Sequence, residues 1–265
     1  MKIKITKIYV FILTLSVLFS TVTAYSRVNA AGQNGISWFC KNNVEHRQPQ
    51  LPQELRFAMD YNAVYIDEKH GDDSSEKVIY LTFDAGYENG NVEKIMNVMA
   101  DNGVKGAFFI LGNLIEKNTE LVKRMAEEGH LVCNHTVNHR DMTLESPEAL
   151  QKEVTELESL FREKTGHELA KFYRPPEGKF SAENLDTVAK LGYTTVFWSF
   201  AYADWDNNKQ MSKEKAKEKV LKHTHNGAVI LLHPTSKTNA EILDDLIKTW
   251  KAEGYRFGTL DELIK

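Results

Sequence analysis

From Lys77 to the carboxyl end, short apolar runs alternate with stretches whose apolar residues recur at helical spacing. The runs are Val78–Phe83, Lys105–Leu111, His130–Cys133, Lys171–Tyr173, Thr194–Trp198, Ala228–Leu232 and Tyr255–Phe257. Rich in Val, Ile, Tyr and Phe, they predict strands. Between them, Leu121, Val122, Met125 and Ala126 share one helical face. So do Leu150, Val154, Leu157 and Phe161, and likewise Ile242, Leu243, Leu246, Ile247 and Trp250. Gly103, Gly129, Gly192 and Gly254 each stand between a helical pattern and the next run, where a left-handed C′ residue ends a helix. Ser146-Pro147 reads as a helix N-cap with proline in the first turn. Such alternation implies parallel strands joined by right-handed crossovers. Either a barrel or a doubly wound sheet satisfies it.

The chain before Lys77 reads differently. Lys2, Lys4 and Lys7 precede an apolar run from Ile8 to Val22, the pattern of an export signal, with small residues before possible cleavage at Ala24 or Ala30. The run is shorter than the roughly 20 residues a membrane span needs. Residues 1–30 are therefore expected to be a cleaved signal or a retained anchor, and either places the remainder outside the cytoplasm. Membrane association is expected only through that segment if it stays uncleaved. Residues 31–76 are irregular, with Trp38, Phe39, Pro49 and Pro52, a short helix near Gln53–Tyr61 and a turn cluster from His70 to Ser75. That length is hard to stabilise alone, so the segment is expected to pack as an extension on a main domain spanning 77–265.

Composition narrows the class. The 265 residues are 42% hydrophobic and 26% charged, which excludes a disordered or collagen-like chain. Two cysteines, Cys40 and Cys133, exclude a disulfide scaffold. A bond between them stays open, with Cys133 otherwise a core residue. The formal charge is −4. Loss of Lys2, Lys4, Lys7 and Arg27 with the leader, which carries no acid, leaves 29 basic residues against 37 acidic ones, or −8. An acidic chain without a basic stripe is not expected to bind nucleic acid. No protein partner is indicated.

The candidate chemistry lies beyond the ends of five of the seven predicted strands. Asp84 closes the first, followed by Ala85, Gly86 and Tyr87. His135 and His139 follow the third, Arg174-Pro175-Pro176 the fourth, Asp204-Trp205 the fifth, and His233 the sixth, after Leu231 and Leu232. Carboxyl ends of parallel strands are where α/β folds build sites. Each residue has a plainer reading. Asp84 could cap a turn, the two histidines could be polar loop residues, Arg174 could sit on a surface turn, and His233 could be structural. Taken together they favour a site. A carboxylate accepts a proton or binds a metal, imidazoles four apart can converge on a divalent ion, and a rigid Arg can grip a carboxylate. His223 and His225 lie on the amino side of the sixth strand and His130 at the amino end of the third, so these are expected to face away.

These motifs resemble the NodB-homology polysaccharide deacetylases, carbohydrate esterase family 4. Leu81-Thr82-Phe83-Asp84, His135-Thr136-x-x-His139, Arg174-Pro175-Pro176-x-Gly178, Asp204-Trp205 and Leu231-Leu232-His233 occur in family order. Thr82 to Gly90, Phe197-Trp198-Ser199 and Trp38…His46-x-x-Pro49 resemble the branch that deacetylates N-acetylmuramic acid for the muramic δ-lactam of spore cortex. The resemblance implies a distorted (β/α)7-type barrel. It implies Asp84 as general base, Arg174 orienting it, His233 as general acid tuned by Asp204, and His135 and His139 as ligands of a divalent metal, zinc or similar. Trp205 and Leu231 would line the substrate pocket, with Tyr87 beside them. The family usually carries a second Asp, a metal ligand, where this chain has Ala85, which weakens the expected metal site. The branch departs there too.

The implied partner is peptidoglycan glycan, and the implied reaction is hydrolysis of an acetamide with release of acetate. A deacetylase of N-acetylglucosamine in peptidoglycan or a chitin-like glycan is the nearest alternative. An inactive carbohydrate-binding module is another. A glycosidase would need a flanking carboxylate pair, for which Asp84 and Asp204 are the only obvious candidates.

Overall fold

In a computed structural model, residues 35–43 and 45–264 are described. The predicted leader lies outside them. Among the described residues no helix is long and apolar enough to cross a membrane.

The longest strand, β3 (Lys77–Ala85), follows β1 (Ile36–Ser37) and β2 (Ala63–Val64). After it come β4 (Ala107–Ile110), β5 (Leu131–Asn134), β6 (Ala170–Tyr173), β7 (Lys179–Phe180), β8 (Thr194–Val196), β9 (Ala228–Leu232) and β10 (Tyr255–Phe257). The main sheet runs β10-β3-β4-β5-β6-β8-β2, with β9 on the other edge of β3. All of these pairings are parallel. Beyond β8, Phe200 bridges to Ile230 of β9, so the curled sheet returns on itself through one bridge. The choice between barrel and open sheet falls to a distorted barrel.

Successive residues of a strand face opposite sides. Val78 and Tyr80 of β3 join Phe109, Cys133, Phe172, Val196 and Val229 in one buried cluster, the barrel interior. Ile79, Leu81, Phe83 and Ala85 join a second, outer cluster under the helices. The helices are α1 (Val92–Asp101), α2 (Gly112–Lys117), α3 (Thr119–Glu127), α4 (Pro147–Thr165), α5 (Ala182–Lys190), α6 (Lys213–His223), α7 (Lys237–Ala252) and α8 (Leu260–Leu263). Ser146 caps α4, its Oγ accepting from Ala149 N at 3.3 Å. The four glycines expected after helices all have positive φ, from 63° to 87°.

The extension is more than a cover. The helix expected near Gln53–Tyr61 forms as a 3-10 helix. β2 then adds to the edge of β8, and β1 pairs antiparallel with β7. The run expected to continue to Trp198 leaves the regular ladder after Val196, because the carbonyls there turn to other donors. Cys40 and Cys133 are free thiols, so the open disulfide does not form; Cys133 packs inside the barrel. His130 is buried at the amino end of its strand, its Nδ1 accepting from Gly106 N at 3.2 Å.

Candidate active site

The inward alternation of β3 continues through Thr82 to Asp84, and that of β9 through Leu231 towards His233. Arg174 follows β6 on the same inner side as Phe172. These groups therefore form the top layer of the barrel interior, with Thr82 and Leu231 a layer below and paired in register.

Arg174 is fully buried and has four acceptors. Its Nη1 donates to Asp84 Oδ1 at 2.7 Å, and its Nη2 to Thr82 Oγ1 at 3.0 Å and Phe197 O at 3.4 Å. Its Nε donates to Val196 O at 2.9 Å. The guanidinium carbon also lies 4.1 Å from the Phe109 ring centroid. A buried cation is tolerable only when so paired. Burial alone would raise the Asp84 carboxyl, but the charge of Arg174, with His135 and His233 adding, holds it below its usual value. Asp84 is thus an anion with one oxygen committed to Arg174.

The second oxygen faces His135, whose Nε2 lies 3.6 Å from Asp84 Oδ2. His135 Nδ1 is 2.7 Å from the Arg174 carbonyl. Only an Nδ1–H can donate to a carbonyl, which leaves Nε2 with its lone pair free. Burial pushes this imidazole down to about 4, so it is neutral near pH 7. The His139 ring stands edge-on to it at 4.9 Å. Two left-handed residues, Thr136 (φ 71°) and His139 (φ 55°), bend the loop between them. Glu153 of α4 holds that loop. Its Oε2 accepts from the N–H groups of Val137 and Asn138, both at 2.9 Å, and its Oε1 from Asn138 Nδ2 and Arg140 Nη2, both at 2.7 Å.

Across the barrel mouth, His233 Nδ1 lies 2.7 Å from Asp204 Oδ1, and its backbone N–H donates to Oδ2 at 2.8 Å. Asn239 Nδ2 donates to the same Oδ2 at 2.6 Å, and Tyr202 donates in turn to Asn239. Burial would depress His233, but the hydrogen bond and charge of Asp204 raise it above its ordinary value, with Asp84 adding. Trp205 is 60% exposed and stands edge-on to His233 at 6.1 Å. Tyr87 is exposed too, and its hydroxyl accepts from Asn207 Nδ2 at 2.7 Å. All the expected groups thus lie at the same end of the barrel.

A family profile described as polysaccharide deacetylase matches residues 71–196. Peptidoglycan-N-acetylmuramic acid deacetylase PdaA of Bacillus subtilis (strain 168) is 38% identical over 240 residues, 90% of this chain and 89% of that protein. The chain belongs to the polysaccharide deacetylase family. The solved structure of B. subtilis PdaA, a family 4 carbohydrate esterase, matches this deacetylase with a TM-score of 0.82, covering 88% of this chain and 97% of that one. A family 4 carbohydrate esterase from Bacillus anthracis matches with a TM-score of 0.68 at 33% identity, over 86% of this chain and 99% of that one. The polysaccharide deacetylase is accordingly a hydrolase.

Deacetylases of this family are generally metal-dependent. Among the described residues no group of three or more His, Cys, Asp or Glu side chains is arranged around a common ion position. Yet His135 has the tautomer a ligand needs, fixed by the carbonyl behind it, and His139 and Asp84 Oδ2 are its neighbours. Ala85 sits on the outer face of β3, fully buried in the apolar cluster, and offers no donor. The donors that stand side by side are two imidazoles and one carboxylate oxygen.

Sequence reasoning missed Glu153 and Asn239. Both lie on the apolar stripes of their helices, Glu153 beside Leu150, Val154 and Leu157, and Asn239 one turn before Ile242 and Leu243. A polar residue on a buried stripe was the available signal, because such a group needs partners.

Proposed function

We propose that this deacetylase hydrolyses the N-acetyl group of muramic acid residues in peptidoglycan, releasing acetate and a free amine. The carrying observation is the pairing of two oppositely tuned groups at one barrel mouth: Asp84, held towards its anion by Arg174, and His233, shifted towards its cation by Asp204. Environments that push two titratable groups apart are the signature of a base and an acid. Asp84 takes a proton from the attacking water, and a tetrahedral carbon forms at the acetyl group. His233, with Nδ1 committed to Asp204, donates from Nε2 to the leaving nitrogen, and the C–N bond breaks. Leu231 and Trp205 border the acetyl and sugar faces, with Tyr87 at the rim. His135 and His139 would hold a divalent cation, zinc or similar, beside Asp84. Such an ion would supply Lewis-acid polarisation of the acetyl oxygen.

The similarity to PdaA over nearly its whole length supports muramate rather than glucosamine as the sugar. The freed amine is then placed to close on the lactyl carboxyl, the route to muramic δ-lactam of spore cortex. The chain reads as a leader or anchor at 1–30, an extension at 31–76 and a deacetylase domain at 77–265, acting outside the cytoplasm on glycan strands.

The test is incubation of purified protein with defined peptidoglycan, followed by mass analysis of muropeptides and an acetate assay. Acetate release with acetyl loss confined to muramate is expected, and Asp84→Asn should abolish it while the far-ultraviolet spectrum stays native. Acetyl loss from glucosamine alone would replace the muramate reading. Normal release by Asp84→Asn would remove Asp84 as base.

A further inference from the structure

Trp38 belongs to the extension, more than a hundred residues in sequence from Arg174, yet it is only 4% exposed. Its backbone N–H donates to the Gly178 carbonyl at 2.8 Å. Its indole Nε1–H donates to the Trp198 carbonyl at 2.9 Å. The ring stacks on Phe197, with centroids 4.0 Å apart and planes 11° apart. One residue thus grips both the Phe197–Trp198 segment and the loop that follows Arg174.

The first of these segments lines the Arg174 guanidinium, and the second is the backbone that continues from Arg174 itself. Three successive carbonyls at the end of β8 are taken by side chains. Val196 O and Phe197 O accept from Arg174, and Trp198 O accepts from Trp38. The Trp198 ring also lies 5.7 Å from the guanidinium carbon. On the other side, Gly178 has φ 65°, and a Cβ there would meet Trp198 Cη2 at 2.6 Å and Trp38 Cβ at 3.2 Å. The loop at Gly178 is therefore packed closely against both Trp198 and Trp38. β8 is only three residues long, and beyond it Phe197 N–H still donates to Val64 O at 2.8 Å, while the carbonyls of Phe197 and Trp198 depend on the two side chains.

We infer that Trp38 is a positioning residue for the deacetylation, fixing the Arg174 guanidinium against Asp84 through the Phe197–Trp198 backbone and Gly178. The inference rests on Asp84 as the base. The extension is then part of the working site, although no group of it touches the reacting atoms. Loosening the two segments displaces Arg174 and, with it, Asp84, and sub-ångström errors at a base are costly in rate.

Trp38→Phe keeps an aromatic stack and removes the indole donor; Trp38→Ala removes both. With Trp38→Phe, kcat for acetate release should fall about tenfold while KM changes little. In an Arg174→Lys background the same substitution should cost almost nothing further, because the route to Asp84 is already cut. Independently of activity, the Arg174 Nε–H resonance should exchange faster in Trp38→Phe while core amides keep their protection. Wild-type kcat together with unchanged Arg174 Nε–H exchange would overturn the inference, as would additive losses in the double variant. If Trp38→Ala fails to fold, Trp38→Phe still decides. If the wild type releases no acetate, the deacetylase reading fails, and the exchange measurement alone decides the grip of Trp38 on Arg174.

Discussion

Asp204→Asn isolates the tuning of His233. In the native site Asp204 accepts from the His233 ring at 2.7 Å, its backbone N–H at 2.8 Å and Asn239 Nδ2 at 2.6 Å. Asparagine can keep one oxygen on the ring, but its amide then meets two donors. A hydrogen bond to a charged group contributes about 1.5–3 kcal/mol; the neutral ring also donates through Nδ1–H, so only the extra strength with the imidazolium, together with the charge of Asp204, favours the protonated form. Its loss lowers the imidazolium population wherever His233 is partly deprotonated, and kcat/KM near neutral pH should fall about tenfold. The sign follows from the opposing causes: burial pulls His233 down and Asp204 lifts it, so removing the carboxylate leaves burial in control. The alkaline limb of kcat/KM for acetate release should move to lower pH, and the loss should shrink towards acid, where the variant is protonated again. The acid limb, set by Asp84, should stay below the usual carboxylate range. The assay is acetate release between about pH 5 and pH 9, the range in which an imidazole titrates. A uniform loss at every pH, with the alkaline limb unmoved, would refute His233 as the acid tuned by Asp204.

Glu153→Gln leaves at least one loop donor unsatisfied, so urea unfolding should show about 1–3 kcal/mol lost, and divalent-cation binding should weaken in calorimetry. Unaltered binding would mean that the loop holds its shape without Glu153. Gly178→Ala imposes φ 65° on a Cβ that collides with Trp198; about 2 kcal/mol and a Tm lower by about 4–8 °C should follow in calorimetric scans. After chelation, zinc should rebind the wild type, and His135→Ala should lose more than the about 10–100-fold typical of removing a group behind a ligand; equal affinity would exclude His135 from the site.

Much of the barrel was legible because its signal is local. Each strand from β3 to β10 except the two-residue β7 shows as an apolar run, and the glycines that end helices stand where backbone sterics require them. The candidate site residues stood out for the same reason, most of them being polar groups directly after apolar runs. What escaped depends on distant partners. β1 and β2 are two residues each, too short for any periodicity, and exist only because β7 and β8 offer free edges. Glu153 and Asn239 look like interruptions of apolar stripes until the loop N–H groups and Asp204 they serve are in place. Trp38 stands out in the sequence only as part of a resemblance in an irregular segment, and its grip on Phe197 and Trp198 becomes visible only in the fold.

The wide spacing of these pairings bears on how the chain acquires its shape. β1 waits for Phe180, β2 for Val196, and the outer edge of β3 for Tyr255. A chain emerging amino end first therefore leaves its first forty described residues without their seats until two thirds of it has appeared. Contacts of such long range are slow to form and closely interdependent. Assembly should be a single late event that completes the barrel and the catalytic mouth together. Truncation before Ala228 should yield no protease-resistant fragment, and a compact amino-terminal fragment would show that the halves fold separately.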